Sequence, residues 1–412
     1  MSYDKPSRPF GGAPVLSSTP PQSVGGLVVD NRVLPDSSLP TEMVEGVLDI
    51  ATEGSGLLRP SFSASDKDIY ISSSQIRRFN LRNGDRVGGP ARRPKDNERY
   101  WGLLKVETVN GKEAVEMGER VDFESLVAIY PDEQIKLSTD SETMTTRVVD
   151  LIAPIGFGQR GLIVSPPKAG KTWLVKDIIN GIGKNYPEVL VIAVLIGERP
   201  EEVTDITRHL KTLTNGTGLV ASSNFDDDPH EQTRAGELAL EFAKRQVEEG
   251  KDVVIVLDSI TRLARAYNLA LPNTGRTLTG GFDTGALQPA KKFFGAARKI
   301  ENGGSLTIIG TCLVETGSRM DELIYEEFKG TGNMELHLDR KLAERRIFPA
   351  INITRSGTRQ EELLYGKENM ARILTLRRMM DMIPDDERTE TLLNKLSTID
   401  NNSTFLESLK TA

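Results

Sequence analysis

The chain has 412 residues, with 52 Lys plus Arg against 59 Asp plus Glu, a formal charge of -7, one Cys and three His. That balance excludes an indiscriminate polycation, so any nucleic-acid contact has to be local. One thiol excludes an internal disulfide, and His209, His230 and His337 are too scattered to build a zinc site with it. The length suits two or three domains, and 38% apolar with 27% charged residues suits a folded chain.

Residues 1–42 are rich in Pro, Ser and Gly without sustained periodicity, and are expected to form a flexible arm. No basic start leads into an apolar h-region and no apolar run reaches about 18 residues, so a cytoplasmic location is expected. From 43 to 112, five short strand candidates (EGVLDI, GSGLLR, KDIYIS, GDRVGG and ERYWGLLKVETV) are divided by turn residues, which predicts a small β-barrel of oligonucleotide-binding type. Residues 113–150 read as a connector.

A larger unit is expected over 151–400. The runs GLIVS (161–165), VLVIAVLIG (189–197), GLVASS (218–223), DVVIVLD (252–258) and SLTIIGTC (305–312) alternate with helical stretches, as in a parallel sheet buried on both faces. Cys312 falls inside the last run and reads as a buried strand residue. Asp228, Pro229 and Glu231 form a helix start before HEQTRAGELALEFAKRQVEEG, with Ala235, Leu238, Phe242 and Gln246 about a turn apart and Gly250 as its stop. The acidic run 226–228 therefore reads as capping and solvation rather than a metal site. Residues 401–412 are expected to be a tail.

After GLIVS comes PPKAGKT, so Ser165–Thr172 reads SxxxxGKT, a phosphate loop whose first Gly is replaced by Ser. Gly170 frees the amides, Lys171 meets terminal phosphates, and the Thr172 hydroxyl suits Mg2+; the helical WLVKDIINGIG that follows places its N-terminus at the anion. Asp258, ending DVVIVLD, suits the acid that organises Mg2+. Glu198, ending the preceding strand with Arg199 beside it, is the general-base candidate, while Glu201 and Glu202 fit a solvated helix start; the residues alone leave that choice open. Arg345, Arg346, Arg355 and Arg359 are candidates for an arginine reaching a neighbouring subunit's nucleotide, against a charged surface loop, and Phe348 suits an adenine face or a core.

Arg77 to Arg99 holds eight basic residues (Arg77, Arg78, Arg82, Arg86, Arg92, Arg93, Lys95, Arg99) against Asp85, Asp96 and Glu98, a local charge of +5. Phe79 lies inside it and Tyr70, Tyr100 and Trp101 flank it, which pairs cations with stacking platforms. A second region, PNTGRTLTGGFDTGAL at 272–287, is rich in Gly, and ETGSRMDE at 315–322 carries Arg319; both fit mobile loops facing a channel or plain surface loops.

These motifs, with SSSQIRRFNLRNGD, RRPKDNERY, IGERPEEVTDITR, LDSITRLARAYN, YEEFKGTGNMELHLDR and INITRSGTRQEELL, resemble the bacterial transcription termination factor Rho family over about 43–380. The resemblance implies an OB/cold-shock-like barrel followed by a RecA-like α/β P-loop ATPase domain. It also implies a homohexameric RNA-dependent ATPase and RNA/DNA helicase using ATP and Mg2+, with single-stranded RNA, RNA polymerase and elongation factors as partners.

By the same resemblance, Gly156, Phe157, Gly158, Gln159, Arg160 and Gly161 line the ATP site with Lys168, Ala169, Gly170, Lys171, Thr172, Trp173 and Arg199. Glu198 activates water, Asp258 organises the metal with Thr172, and Arg359 is the trans-acting finger supported by Arg346. A primary RNA site is implied at Gly54, Ser55, Gly56, Leu57, Leu58 and Arg59, at Asp68, Ile69 and Tyr70, and at Glu98, Arg99 and Tyr100. A channel site is implied at Thr277, Leu278, Thr279, Gly280, Gly281 and Arg319.

Two departures stand out: GSGLLR replaces the family's GFGFLR, so Ser55 and Leu57 occupy phenylalanine positions, and no helical N-terminal subdomain is recognisable. Weaker or differently selective RNA capture is the expected consequence. The residues also leave room for another hexameric DNA translocase or recombination ATPase, and for an RNA-binding regulator that uses nucleotide only to assemble.

Overall fold

The computed structural model describes residues 40–116, 120–213, 218–272, 275, 277–278 and 280–409. Most of the expected arm, and Thr279, lie outside the described residues.

The first unit closes on itself. Strands β1 (Thr41–Ile50), β2 (Gly56–Arg59), β3 (Ile69–Ile71), β4 (Arg86–Arg92) and β5 (Trp101–Leu103) run in the order β1-β2-β3-β5-β4, and β4 pairs back with β1. Closure removes the sheet edges, as an oligonucleotide-binding barrel requires. The interior follows the period of two: Leu48 faces Leu58 in register, both fully buried, while Asp49 and Leu57 alternate to the other face. Helix α1 (Ser73–Arg78) starts at a capping box between Ser72 and Gln75 and plugs the barrel with Ile76. Gly89 is required for a close approach, since a Cβ there would stand 2.0 Å from the Lys105 carbonyl oxygen. A hairpin, β6 (Thr108–Val109) and β7 (Lys112–Glu113), extends β4.

The stretch expected as a connector contains β8 (Ala128–Ile129) and most of helix α2 (Met144–Ile152), which crosses the junction expected at 150. Its Val148, Val149, Leu151 and Ile152 are buried in the core of the second unit.

That unit is a parallel sheet with helices on both faces. Strands β9 (Arg160–Ser165), β10 (Leu190–Glu198), β11 (Leu219–Asn224) and β12 (Asp252–Asp258) alternate with helices α3 (Lys171–Asn185), α4 (Pro200–Leu213), α5 (Pro229–Glu248) and α6 (Ile260–Ala270). After the short pair β13 (Thr277–Leu278) and β14 (Phe282–Asp283) come α7 (Leu287–Gly295), β15 (Arg298–Ile300), β16 (Ser305–Leu313) and α8 (Arg319–Lys329). The chain ends through β17 (Met334–His337), α9 (Arg340–Glu344), β18 (Gly357–Thr358), α10 (Glu362–Asp381), α11 (Asp385–Leu396) and α12 (Asn402–Ser408). The strand order is β11-β10-β12-β16-β9-β17-β18, with β15 antiparallel to β16.

Each central strand serves two cores. In β10, Val191, Ala193 and Leu195 join the layer of α2, α3 and the C-terminal helices, while Ile192, Val194 and Ile196 join the layer of α5 to α8. This two-sided burial is why the run is continuously apolar. Helix α5 has Asp228 as its N-cap, accepting from the His230 N–H at 2.8 Å, and Gly250 follows its end at φ 81°. Cys312 is buried in β16, and burial pushes its thiol up to about 12. The segment expected as a tail carries α12, whose Phe405 and Leu406 are buried, and Arg147 of α2 donates to the Leu396 carbonyl and to Asn402.

The barrel rests on α5. Phe62 packs edge-on against Phe242 at 5.6 Å, worth roughly 0.5–1.5 kcal/mol beyond the buried area. Gly84 (φ 83°) lies so close that a Cβ would stand 2.3 Å from the Glu241 carbonyl carbon. Asp49 of β1, almost fully buried, is shared by Arg59 at 2.7 Å and Arg234 of α5. Among the described residues no helix is long and apolar enough to cross a membrane.

Candidate nucleotide and nucleic-acid sites

The carboxyl ends of β9, β10, β12 and β16 form one edge of the parallel sheet, where ligands of such sheets bind. Ser165 ends β9, and the loop to α3 has left-handed backbone at Lys168 (φ 64°) and Gly170 (φ 92°), an alternation suited to an anion-binding nest. Ala169 is buried beneath it. Lys171 opens α3 and donates to Asp258 Oδ1 at 2.5 Å, an oxygen that also accepts from the Thr311 hydroxyl at 2.7 Å. Burial opposes the ammonium, but Asp258 and Glu198 hold its pKa above the ordinary lysine value.

Glu198 ends β10 after a bulge against β11 at 196–198, with Gly197 at φ 64°. Its Oε1 lies 3.6 Å from Lys171 Nζ and 3.3 Å from Arg262 Nε, and makes no hydrogen bond among the described residues. Burial, repulsion from Asp258 and a hydrogen bond with Glu202 push its carboxyl up to about 8, against the pull of Lys171 and Arg262. The environment thus singles out Glu198. Glu201 is exposed as expected, whereas Glu202 faces Glu198.

Two aromatic side chains frame the phosphate loop. Phe348, 49% exposed, lies 3.5 Å from where a Gly170 Cβ would be, and Trp173 on the first turn of α3 is 73% exposed with Lys176 over its ring. Arg199 and Arg346 are also exposed, Arg346 with φ 63° just after α9.

Gly156 to Gly161 is not at this edge. It precedes and enters β9 at its amino end, where the Gly158 N–H donates to Thr307 at 2.8 Å, so at about 3.3 Å per residue Arg160 stands roughly 17 Å from Ser165. Arg359 belongs with that end: its charge, with that of Arg298, depresses the Arg160 pKa below the usual arginine value after burial, the larger cause. Phe157 is buried edge-on against Tyr186. Within one chain the candidate residues therefore fall in two groups, with Lys171, Thr172, Glu198, Asp258 and the aromatics at one end of β9, and Arg359 and residues 156–161 at the other.

The two expected channel loops do meet. Gly280 packs against the start of α8, a Cβ there falling 3.0 Å from the Met320 nitrogen and 3.2 Å from the Arg319 carbonyl carbon. Arg319 is exposed and lines a cavity of about 330 Å3 with Gly280, Arg265, Asn268 and Leu269. Thr277 and Leu278 pair with Asp283 and Phe282, and Gly281 (φ 79°) completes the turn.

On the barrel, the expected RNA-contact residues divide. Tyr70 is 45% exposed, pointing outward between buried Ile69 and Ile71, beside Leu57 and Gly102 in register. Arg99 is exposed over the Tyr100 ring at 5.1 Å, and Arg93 lies over Trp101 at 5.8 Å. Gly54 (φ 88°) and Ser55 form the turn into β2, where Gly56 and Leu58 are buried. Arg59 and Asp68 face inward: Arg59 holds Asp49, and Asp68, its pKa raised by burial, accepts from Ser65. Glu98 grips Arg92 at 2.6 and 2.7 Å, which holds its carboxyl down at about 2.

The +5 segment is not the bare cationic field its sequence suggests. Arg82 pairs with Glu248 at 2.5 Å, Arg86 with Glu45 at 2.6 Å, Arg93 with Glu42 at 3.5 Å and Arg99 with Asp66 at 3.3 Å. All four acids lie outside 77–99 and are brought in by folding.

Comparison with known proteins matches both units. Residues 44–115 match the Rho termination factor RNA-binding domain, and residues 145–358 match the nucleotide-binding domain of the ATP synthase alpha/beta family. The transcription termination factor Rho of Bacillus subtilis is 58% identical over 368 residues, 89% of this chain and 84% of that protein. Those of Neisseria gonorrhoeae and Thermotoga maritima are each 52% identical, over 89% and 88% of this chain and 87% and 84% of theirs. The chain belongs to the transcription termination factor Rho family. A solved type III secretion system ATPase covers 61% of the chain, and the chain covers 76% of it, at 26% identity and a TM-score of 0.48, a likeness too slight to build on.

In this Rho-family chain, sequence reasoning missed Thr311, Arg262 and Asn333. Thr311 touches Asp258 and Arg262 touches Glu198, each pair more than 50 residues apart along the chain, so the stretches that contain them do not by themselves show these contacts. The Asn333 side-chain oxygen accepts from Gln159 at 2.6 Å and from the Arg160 N–H at 2.9 Å. The signal for it was the polar Asn inside GTGNMELH, ahead of an edge strand.

Proposed function

We propose that this chain is an RNA-dependent ATPase and RNA/DNA helicase that captures nascent single-stranded RNA on its barrel, translocates along it by ATP hydrolysis, and terminates transcription. The observation that carries this is the division of the nucleotide machinery between opposite ends of β9. Arg359 stands beside the amino end of β9, a strand that spans roughly 17 Å from Arg160 to Ser165, and from there it serves a phosphate on a neighbouring subunit, which calls for a ring. The proposed assembly is a homohexamer, with RNA polymerase and elongation factors as partners.

At the site, Lys171 leaves Asp258 for the terminal phosphates, and the loop amides and the α3 N-terminus receive the rest. Thr172 and Asp258 offer hard oxygen donors that fit Mg2+, which when bound neutralises charge developing on the phosphates. Glu198 is deprotonated as Asp258 becomes engaged, and its carboxylate orients and deprotonates the attacking water. Trp173 and Phe348 flank the nucleobase, Arg359 and Arg346 stabilise transferred charge, and Arg199 contacts phosphate. Tyr70 and Tyr100 stack bases at the barrel, and Arg319 with the 277–281 loop follows RNA in the channel.

The test is ATP hydrolysis with single-stranded RNA, with single-stranded DNA and with neither, at concentrations where ring assembly is verified. Stimulation by RNA over DNA supports the reading. Stimulation by DNA at least equal to RNA indicates a DNA translocase, and assembly without turnover indicates a regulator.

A further inference from the structure

Arg359 sits in a short connector between β18 and α10, and forms no ion pair among the described residues. The connector is held on both sides. Ahead of it, β18 pairs with β17, and the Arg359 N–H donates to the Asn333 carbonyl at 2.8 Å. Asn333 is itself fixed to the strand that leads to the phosphate loop, donating its N–H to the Arg160 carbonyl at 3.0 Å while its side chain accepts from Gln159 and Arg160. Behind it, Gln360 takes a left-handed conformation (φ 53°), a turn a non-glycine residue adopts at a cost unless its surroundings impose it.

Glu361 imposes it. Its side chain is only 7% exposed, and both carboxylate oxygens are taken by the Arg377 guanidinium, Oε2 at 2.5 Å. A bidentate arginine–carboxylate pair fixes direction as well as distance. Arg377 lies sixteen residues later on α10 beyond the break at Gly366 (φ 71°), so the pair ties the connector to the long arm of that helix. Arg359, Glu361 and Arg377 line one cavity of about 490 Å3. Of its other arginines, Arg388 is engaged with Asp385 and Arg355 with Tyr325.

We propose that Glu361, clamped by Arg377, is a positioning residue for Arg359: it fixes the height and direction of the guanidinium presented to the neighbouring subunit's terminal phosphate. This rests on the trans role of Arg359 proposed above. A displacement of about 1 Å at a group acting on a transition state is enough to lower turnover about a hundredfold.

The experiment is a double-mutant cycle on the full chain, with Glu361→Gln, Arg359→Ala and the double variant, read as kcat and KM for RNA-stimulated ATP hydrolysis, with ring assembly and melting temperature measured in parallel. Arg377→Gln replaces Glu361→Gln in the same cycle if the latter does not fold. The expected result is a ten- to hundredfold fall in kcat for Glu361→Gln, KM for ATP within about threefold, and no further fall when Glu361→Gln is added to Arg359→Ala. A purely structural pair would lower the residual rate by the same factor in both backgrounds, which overturns the proposal. So does full activity of Glu361→Gln beside an inactive Arg359→Ala. Full activity of Arg359→Ala itself would show instead that the trans role is wrong, and would overturn both.

Discussion

Replacing Glu198 by Gln should stabilise the fold while removing its activity. The carboxyl is forced toward its neutral form by burial and by Asp258, with a pKa near 8 against 4.5 for an ordinary glutamate. Between those two pH values the native state holds a proton that the unfolded state has released, so the stability contributed by Glu198 falls as pH rises through this window and levels off above it. At about 1.36 kcal/mol per pH unit, keeping the carboxylate charged in place costs at most about 5 kcal/mol at pH 9. The amide of Gln carries no such penalty. Half that limit still raises the melting temperature by roughly 5 °C for a unit of this size.

The assay is thermal unfolding of wild type and Glu198→Gln without nucleotide from pH 5 to 9. The gain in the variant should grow up to about pH 8 and then stay constant. In wild type, kcat/KM for ATP should rise over the same range as Glu198 ionises, while the variant stays inactive throughout. A stability difference that does not change with pH, or a flat kcat/KM profile, would refute the picture of a strained base.

Lys171→Ala should reduce ATP turnover by at least roughly a hundredfold, since the loop loses the lysine that reaches Asp258 and, in the proposed mechanism, the terminal phosphates, while RNA binding by the barrel, measured by fluorescence anisotropy, should change less than about twofold. Tyr70→Ala should weaken single-stranded RNA binding about 5- to 150-fold at fixed salt, the loss of about 1–3 kcal/mol of stacking, and leave RNA-free ATP hydrolysis unchanged. ADP binding should quench Trp173 fluorescence, and Trp173→Ala should abolish that signal; a quench that survives in the variant would move the nucleobase away from α3. Arg147→Ala should destabilise the second unit by on the order of 3 kcal/mol, because the Leu396 and Ser141 carbonyls and Asn402 lose a buried donor, and chemical denaturation reads it directly.

Several features of this chain were written locally and could be read there. The apolar runs of β9, β10, β12 and β16 carry residues for two cores at once, so their continuity betrays a sheet covered on both faces. Strand, SxxxxGKT and helix occur in sequence because a phosphate loop is built from adjacent residues. The start and stop of α5 were legible for the same reason, since capping is decided within one turn. The C-terminal helices were not: their apolar positions bury against β9, β10 and α2, far earlier in the chain.

Only the tertiary structure decided how charge and burial combine between distant residues. The basic run 77–99 acquires Glu42 and Glu45 from β1, Asp66 from the turn between β2 and β3, and Glu248 from α5 as partners. Arg59 and Asp68 look like surface residues by type, yet barrel closure and docking on α5 turn them inward. Glu198 is distinguished from Glu201 and Glu202 because β10 ends beside Asp258 and Lys171, where its carboxyl is buried. The position of Arg359 at the end of β9 opposite the phosphate loop likewise follows from β18 joining the sheet through β17. Electrostatic energies and reach depend on separation in space, and a linear sequence records separation along the chain.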